Sequence, residues 1–291
     1  MEIAHPVQEN TIPLVGRPFW VYRRSIAAEG GGAEAFNAAF DELQKDFQPG
    51  GAQPLGVCVM VPDRAEMEAR PEAVWPDTEL LFAGYTPDDR QVRIRYFWGA
   101  KIGPGVPDSP SVEQQRDVDY SLEERYRIEL LSESSSVTPD DVLALWAREN
   151  AVSEKQALRR IHEVQLVAIA GDSELVGVSS VYLERNAQLR IDMWNYRTFV
   201  ASPHRMTNVA AQLLIRNRDL LESRFATGED TRAQGVLFNL ENPGLKRHMN
   251  NAYWPATHFN FIGENKRGDH VRVHYFPGAR VPLPAPDSGY H

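Results

Sequence analysis

The sequence predicts a mixed α/β (α+β) fold: a central mixed sheet flanked by helices, preceded by an N-terminal half-repeat of the same design. Three observations carry this. Residues 56–102 recur without a gap at 235–281, an offset of 179. Apolar runs of strand length alternate along the chain with amphipathic stretches of helical period. A hydrophobic content of 42% and a charged content of 24% are those of an ordinary globular protein, and 291 residues suffice for one large core or two modest ones.

A repeat of this length sets the organisation of the chain before any motif does. Trp75-Pro76-x-Thr78 matches Trp254-Pro255-x-Thr257, and Gly84 matches Gly263. Val92-Arg93-x-x-Tyr96-Phe97-x-Gly99-Ala100 matches Val271-Arg272-x-x-Tyr275-Phe276-x-Gly278-Ala279. Such a set of aromatic, glycine and arginine matches is not produced by composition, so the two segments read as diverged copies.

The elements follow in order. Residues 19–23 read as a strand and 33–47 as an amphipathic helix. The apolar run 55–61 is a strand, followed by a polar, helix-compatible stretch and then two strands joined by a turn rich in Asp and Arg. Residues 103–125, which open Gly-Pro-Gly and turn charged, form the linker. Residues 127–131 make a strand. Thr138 caps a helix that has Pro139 at its first position and 143–148 as its body. Residues 165–170 and 175–183 form a hairpin turning at Gly171-Asp172. A strand at 192–200 and a helix at 209–225, with Leu213, Leu214, Leu220 and Leu221 at helical spacing, lead into the second copy. Its hairpin is 257–263 with 270–276. The tail from Pro282 is irregular. The domains are therefore 1–102, a linker 103–125, a complete domain 126–281 and a tail 282–291. A half sheet in the first domain leaves edges and an apolar face to cover, either against the second domain or in a homodimer.

Composition narrows the partners. The single cysteine, Cys58, lies inside an apolar run, which excludes a disulfide framework or a cysteine-rich metal site and predicts a buried, inert thiol. No apolar stretch reaches the roughly 20 residues that span a bilayer, and the amino terminus lacks a basic flank before an apolar core, so a cytoplasmic protein with no membrane partner is expected. A formal net charge of −9 disfavours nucleic acid, whose backbone is bound through clustered Lys and Arg. A cationic or neutral small molecule fits better.

From residue 126 the element order, with the stretch Val200-Ala-Ser-Pro-His-Arg205-Met-Thr-Asn208-Val-Ala210, resembles the GNAT superfamily of acyl-CoA-dependent N-acetyltransferases. In that family a strand ending in Val is followed by Arg or Gln and then by x-x-Gly-x-Gly/Ala at a helix start. The resemblance implies a GNAT-like domain with acetyl-CoA or another acyl-CoA as co-substrate and a small amine as acceptor. Backbone amides at a helix start have no internal partners and carry the positive end of its dipole, which suits a pyrophosphate. By similarity the amides of Met206, Thr207, Asn208, Val209 and Ala210 would hold the phosphates, Arg205 would add charge, and the backbone of Phe199 and Val200 would pair with the pantetheine arm. Asn208 replaces a family glycine, and Asn tolerates left-handed φ better than most residues. Asn242 stands where the family carries an Asn after the fifth strand. The first copy resembles only the carboxy-terminal half of such a domain, and its loop at 23–32 has glycines without an Arg at the motif position.

Acyl transfer needs a deprotonated amine, a stabilised oxyanion and a protonated leaving thiolate. The family's usual Glu position on the fourth strand holds Trp194, and its usual Tyr position holds Met249. Period-two alternation puts Asp192 on the same strand face as Trp194 and Tyr196, making it the nearest carboxylate. Tyr253, within one turn if the helix after Asn242 continues, and His248 are the candidate acids. Each has an ordinary reading as well: Asp192 as a solvated or paired surface carboxylate, Tyr253 as packing. Three functions remain open. One is an N-acyltransferase, the second a catalytically inactive ligand-sensing or partner-binding relative, and the third a transferase using an acylated carrier or aminoacyl-tRNA.

Overall fold

The structure, a computed structural model, describes residues 7–26, 31–50 and 53–284. Residues 27–30 of the glycine loop and 285–291 of the tail lie outside them. The chain is mixed α+β with two mixed sheets flanked by helices. Its first strands and helices are β1 (Val7–Ile12), β2 (Arg17–Tyr22), α1 (Gly32–Asp46), β3 (Gly56–Val61), α2 (Arg64–Ala69), β4 (Val74–Trp75), β5 (Leu80–Tyr85), β6 (Gln91–Tyr96) and α3 (Val112–Arg116). There follow β7 (Tyr126–Leu130), α4 (Pro139–Arg148), α5 (Glu154–Arg160), β8 (Val164–Ala170), β9 (Glu174–Asn186), β10 (Ile191–Val200) and α6 (Val209–Thr227). The last are β11 (Gly235–Leu240), α7 (Pro243–His248), β12 (Tyr253–Trp254), β13 (Phe259–Glu264) and β14 (His270–Tyr275). The six-stranded sheet has the order β1-β2-β3-β6-β5-β4, and the eight-stranded sheet β12-β13-β14-β11-β10-β9-β8-β7.

Two elements depart from expectation. The 103–125 linker contains α3, whose start is fixed by a capping box: the Ser111 hydroxyl accepts from the Gln114 amide while the Gln114 side chain accepts from the Ser111 amide. The edge strand β1 precedes the first expected strand and pairs antiparallel with β2. Cys58 is buried in the middle of β3.

Contacts divide the chain into two units, 1–117 with 185–192 and 239–291, and 118–184 with 193–238. In the first unit, residues 179 apart do the same work. Trp75 and Trp254 each donate an indole N–H to a carbonyl five residues back, of Arg70 and Met249. Against each indole lies a fully buried arginine, Arg93 at 4.1 Å from the Trp75 ring and Arg272 at 3.7 Å from Trp254. Neither forms an ion pair among the described residues. Arg93 donates to the carbonyls of Glu72 (2.8 Å), Ala73 and Leu80, and Arg272 to those of Asn251 (2.7 Å), Met249 and Ala252. Burial pushes both guanidinium groups down to about 9 from their ordinary value, so they remain charged at neutral pH.

The two segments also return each other's contacts. The Tyr96 hydroxyl donates to the Phe261 carbonyl (2.7 Å), and the equivalent Tyr275 hydroxyl to the Phe82 carbonyl (2.9 Å). The Ala73 amide donates to the Ala279 carbonyl and the Ala252 amide to that of Ala100, at 2.8 and 2.7 Å. Val281 bonds to Pro71 as Ile102 bonds to Asn250. At the centre, the Gln188 side-chain amide donates to Ala83 (2.8 Å) and to Ile262 (2.7 Å), carbonyls at equivalent positions beside matching bulges in β5 and β13. Gly84 and Gly263 sit in those bulges at φ +133° and +142°, and a Cβ on Gly84 would come within 2.7 Å of the Gln188 carbonyl oxygen. Only glycine meets both demands.

The second unit is a sheet covered on both faces. β8 alternates cleanly: Val167 and Ile169 pack with Val142, Leu145 and Trp146 of α4 and Ala157 of α5. Leu166, Ala168 and Ala170 pack with Val209 and Leu213 of α6. Two covered faces explain why β8 reads as a continuous apolar run. As expected, α4 starts at a Thr138 cap with Pro139 in its first turn, and α5 repeats the device with Ser153 and Gln156. Among the described residues no helix is long and apolar enough to cross a membrane.

Two outcomes follow for stability. Gln188→Ala removes two hydrogen bonds and leaves two carbonyls without their donor, so it should cost about 2–3 kcal/mol in urea unfolding, against less than about 0.5 kcal/mol for an exposed change such as Lys266→Ala. His270 is the second. Burial, reinforced by the Arg272 charge, pushes its imidazole down to about 4, and its side chain is 11% exposed. The unfolded chain, with a histidine near 6.5, therefore binds more protons between these values, and stability present above pH 6.5 is lost as pH falls towards 4. Between about pH 7 and about pH 4.5 the native protein should lose about 1–3 kcal/mol more than His270→Gln does.

Candidate functional site

In the second unit, β10 and β11 run parallel but pair at only two positions, Trp194 with Val236 and Asn195 with Leu237. β10 continues to Val200 and β11 to Leu240, so the strands part and the β10 edge from Tyr196 onward has no β11 partner. The first residues past the last pair are Tyr196 and Phe238, whose rings meet edge to face at 6.4 Å. Tyr196 is 6% exposed, and among the described residues its hydroxyl has no hydrogen-bond partner of good geometry. The nearby Thr198 hydroxyl donates instead to the Val178 carbonyl. Burial raises the Tyr196 phenol above its ordinary value, so its proton stays on as a donor awaiting an acceptor.

The end of β10 leads through a 3-10 turn (Ser202–His204) into α6. The chain path brings Phe199, Val200, Arg205, Met206, Thr207, Asn208, Val209 and Ala210 into one strand-turn-helix corner. Arg205 turns back along it, donating from Nε to the Val200 carbonyl (2.9 Å) with its guanidinium 5.7 Å from the Phe199 ring centre. Thr207 donates to the His204 carbonyl and accepts from the Val209 amide. Met206 is 99% exposed at the tip. Ala210 and Ala211 lie in the first helical turn, where amides lack a carbonyl four residues back within the helix.

Asn208 does not adopt the left-handed conformation for which the sequence suggested it. At φ −77° its backbone is ordinary. Its side-chain amide instead donates to the carbonyls of Asp119 (3.1 Å) and Ser121 (2.9 Å), and Gln212, one turn along, donates to Tyr120 (2.7 Å). These bonds strap residues 119–121 along the start of α6. The turn is further anchored at His204, which stands between the Tyr126 hydroxyl (2.9 Å) and the Glu174 carboxylate (3.6 Å). Sequence spacing carries no signal for either contact, since the partners lie far off along the chain.

The other expected site residues belong to the first unit. Asp192 keeps a half-exposed carboxylate 3.9 Å from Arg185. Asn242 caps α7, its side-chain oxygen accepting from the Gly244 (2.8 Å) and Leu245 (3.1 Å) amides. His248 is exposed at the last position of that helix. The helix does not continue to Tyr253, which lies in β12 with its hydroxyl 3.0 Å from His258 Nδ1. The cause is local: buried Asn250 and Asn251 donate to the carbonyls of Gly103 and Pro110, drawing the chain off the helical path, while Trp254 satisfies the Met249 carbonyl at the helix end. The family's Glu position holds a buried indole, with Arg232 5.1 Å from the Trp194 ring.

No family model matches the chain, and no curated protein matches it. Among solved structures it is similar to GNAT-family acetyltransferases over about half its length. A Streptococcus pneumoniae acetyltransferase of the GNAT family is 10% identical, with 52% of this chain and 99% of that one covered and a TM-score of 0.37. The ribosomal-protein-S5-alanine acetyltransferase of Vibrio fischeri is 11% identical over 56% of this chain and 100% of its own, also at 0.37. Arabidopsis thaliana Naa50, solved with the bisubstrate analogue CoA-Ac-MVNAL, is 13% identical over 52% and 99%, at 0.32.

The orphaned phenol supplies a direct test. Tyr196→Phe deletes a buried hydroxyl with no well-formed hydrogen bond among the described residues, Thr198 being its one polar neighbour, so the free protein should gain about 1 kcal/mol in urea unfolding. A loss of similar size would reveal a hidden partner.

Proposed function

We propose that the protein is an acyl-CoA-dependent N-acyltransferase acting on a small amine, with an acyl donor lying along β10. The observation that carries this reading is the parting of β10 from β11 after two pairs. It leaves an unpaired strand edge that leads straight to a helix start. An extended arm with amide groups can pair with such an edge as an added strand, which is the chemistry of pantetheine. The first turn of α6 then offers its amides and dipole to the phosphates. Arg205, already folded onto the strand end, adds the positive charge. Asn208 contributes its backbone, its side chain being engaged with 119–121.

For the chemistry, the Tyr196 phenol is the donor closest to where the strands part, suited to an oxyanion or a leaving thiolate. Asp192, a half-exposed carboxylate of the first unit, is a candidate base to be tested by substitution. Tyr253 and His248 remain candidate acids to be tested by substitution. The repeated contacts of residues 56–102 and 235–281 support an internal duplication, with the first copy a half-domain that completes the core of the first unit. Trp194 in place of a carboxylate favours a second reading, a relative that binds the donor without turning it over.

Titration calorimetry with acetyl-CoA separates these. Saturable binding that weakens about tenfold or more in Arg205→Ala supports the donor site. Thiol release in an amine screen then distinguishes an enzyme from a sensor. Absence of binding by both acetyl-CoA and CoA overturns the reading.

A further inference from the structure

The first unit contains a cleft of about 680 Å³, within the usual range for small-molecule sites, between α1, β5, β6 and β12. Its outer wall is Trp98, which is 40% exposed yet held at two points. The indole N–H donates to the Glu113 carboxylate (2.7 Å), and the backbone amide donates to the Gln44 side chain (2.6 Å). Facing it at 6.5 Å and 58° is Tyr253, itself tethered through its hydroxyl to His258. The two rings are thus held at a fixed angle, Trp98 exposed and Tyr253 half-buried, with Val74, another exposed apolar side chain, lining the same cleft. Hydrogen bonds from its own backbone, Ser111 and Trp98 hold Glu113 ionised, below the usual carboxylate range. A carboxylate accepting an indole N–H makes the ring a better partner for a cation.

The charges lining the cleft are Asp41, Glu79 and Arg95. Arg95 is already matched: it lies 4.0 Å over Phe40, pairs with Glu79 at 2.7 Å and donates to Asn37 at 3.0 Å. Asp41 forms no ion pair among the described residues, its neighbouring cation Lys45 being paired with Glu42 at 2.9 Å, and the chain has a net charge of −9. An anion would meet uncompensated carboxylate here, whereas a cation meets it together with two aromatic faces.

We infer that this cleft binds a small organic cation, an alkylated or aromatic amine whose ammonium rests on Trp98 and Tyr253 while its apolar body packs against Val74, Leu81 and Phe97. The inference does not rest on the acyl-donor reading, whose donor site is the β10–α6 corner of the second unit; Tyr253, a candidate acid in that reading, is the one residue they share. Choline and benzyltrimethylammonium titrated calorimetrically into the full chain at low salt are the probes, with 3,3-dimethylbutan-1-ol as the neutral isostere of choline. Choline should bind about tenfold more tightly than the alcohol. Trp98→Leu, which keeps apolar bulk but removes the aromatic face, should weaken both ammonium ions about tenfold, and Asp41→Asn about threefold, each variant keeping the native far-UV circular dichroism. Equal binding of the alcohol, no saturation by either cation up to about 50 mM, or indifference to Trp98→Leu each overturns the assignment. Acetyl-CoA titration of Trp98→Leu, expected to match the native protein, keeps this failure distinct from failure of the donor site.

Discussion

A guanidinium taken fully out of water without a carboxylate must be surrounded by carbonyl oxygens and aromatic faces that do not move. Arg93 and Arg272 impose that constraint twice. The carbonyls they use come from residues 72–73 and 251–252, so each arginine fixes the bend that precedes a short strand and the indole that closes it. Those bends then present their remaining amides to 100 and 279 of the other segment. An interior charge is an uncertain source of net stability, but removing its surroundings is costly, and this is how it specifies a geometry.

Much of the fold was legible because its signals are local. The Thr138 cap acts within four residues, the apolar run of β8 is that of a strand covered on both faces, and the leucines of α6 fall at helical spacing. The repeat identifies equivalent residues, yet it cannot say that Tyr96 reaches Phe261 and not its own Phe82. An offset gives correspondence, whereas exchange of contacts is a tertiary fact. The helix after Asn242 ends before Tyr253 for a similar reason: what ends it is a pair of asparagines bonding to residues more than a hundred positions earlier.

The candidate site divides in the same way. The corner from Phe199 to Ala210 is contiguous and readable as a stretch, but the uses of its side chains are not. Asn208 reads in sequence as a residue of tolerant backbone and serves through its amide, 89 residues from one partner. Tyr196 falls on a strand face by alternation, and its importance emerges only where β10 and β11 separate. Side-chain roles that depend on a missing partner leave no periodic trace.

The exchange of contacts between the two segments also has a consequence in time. When residues 56–102 leave the ribosome, the groups that complete their edge lie 179 residues behind, roughly ten to forty seconds at ordinary elongation rates. Through that interval the Tyr96 hydroxyl, the Ala73 amide and the Pro71 carbonyl lack the Phe261 and Ala279 carbonyls and the Val281 amide that later satisfy them. The first half of the chain is thus synthesised as an unfinished surface, and its maturation is set by translation and by whatever shields it meanwhile, more than by its own folding rate.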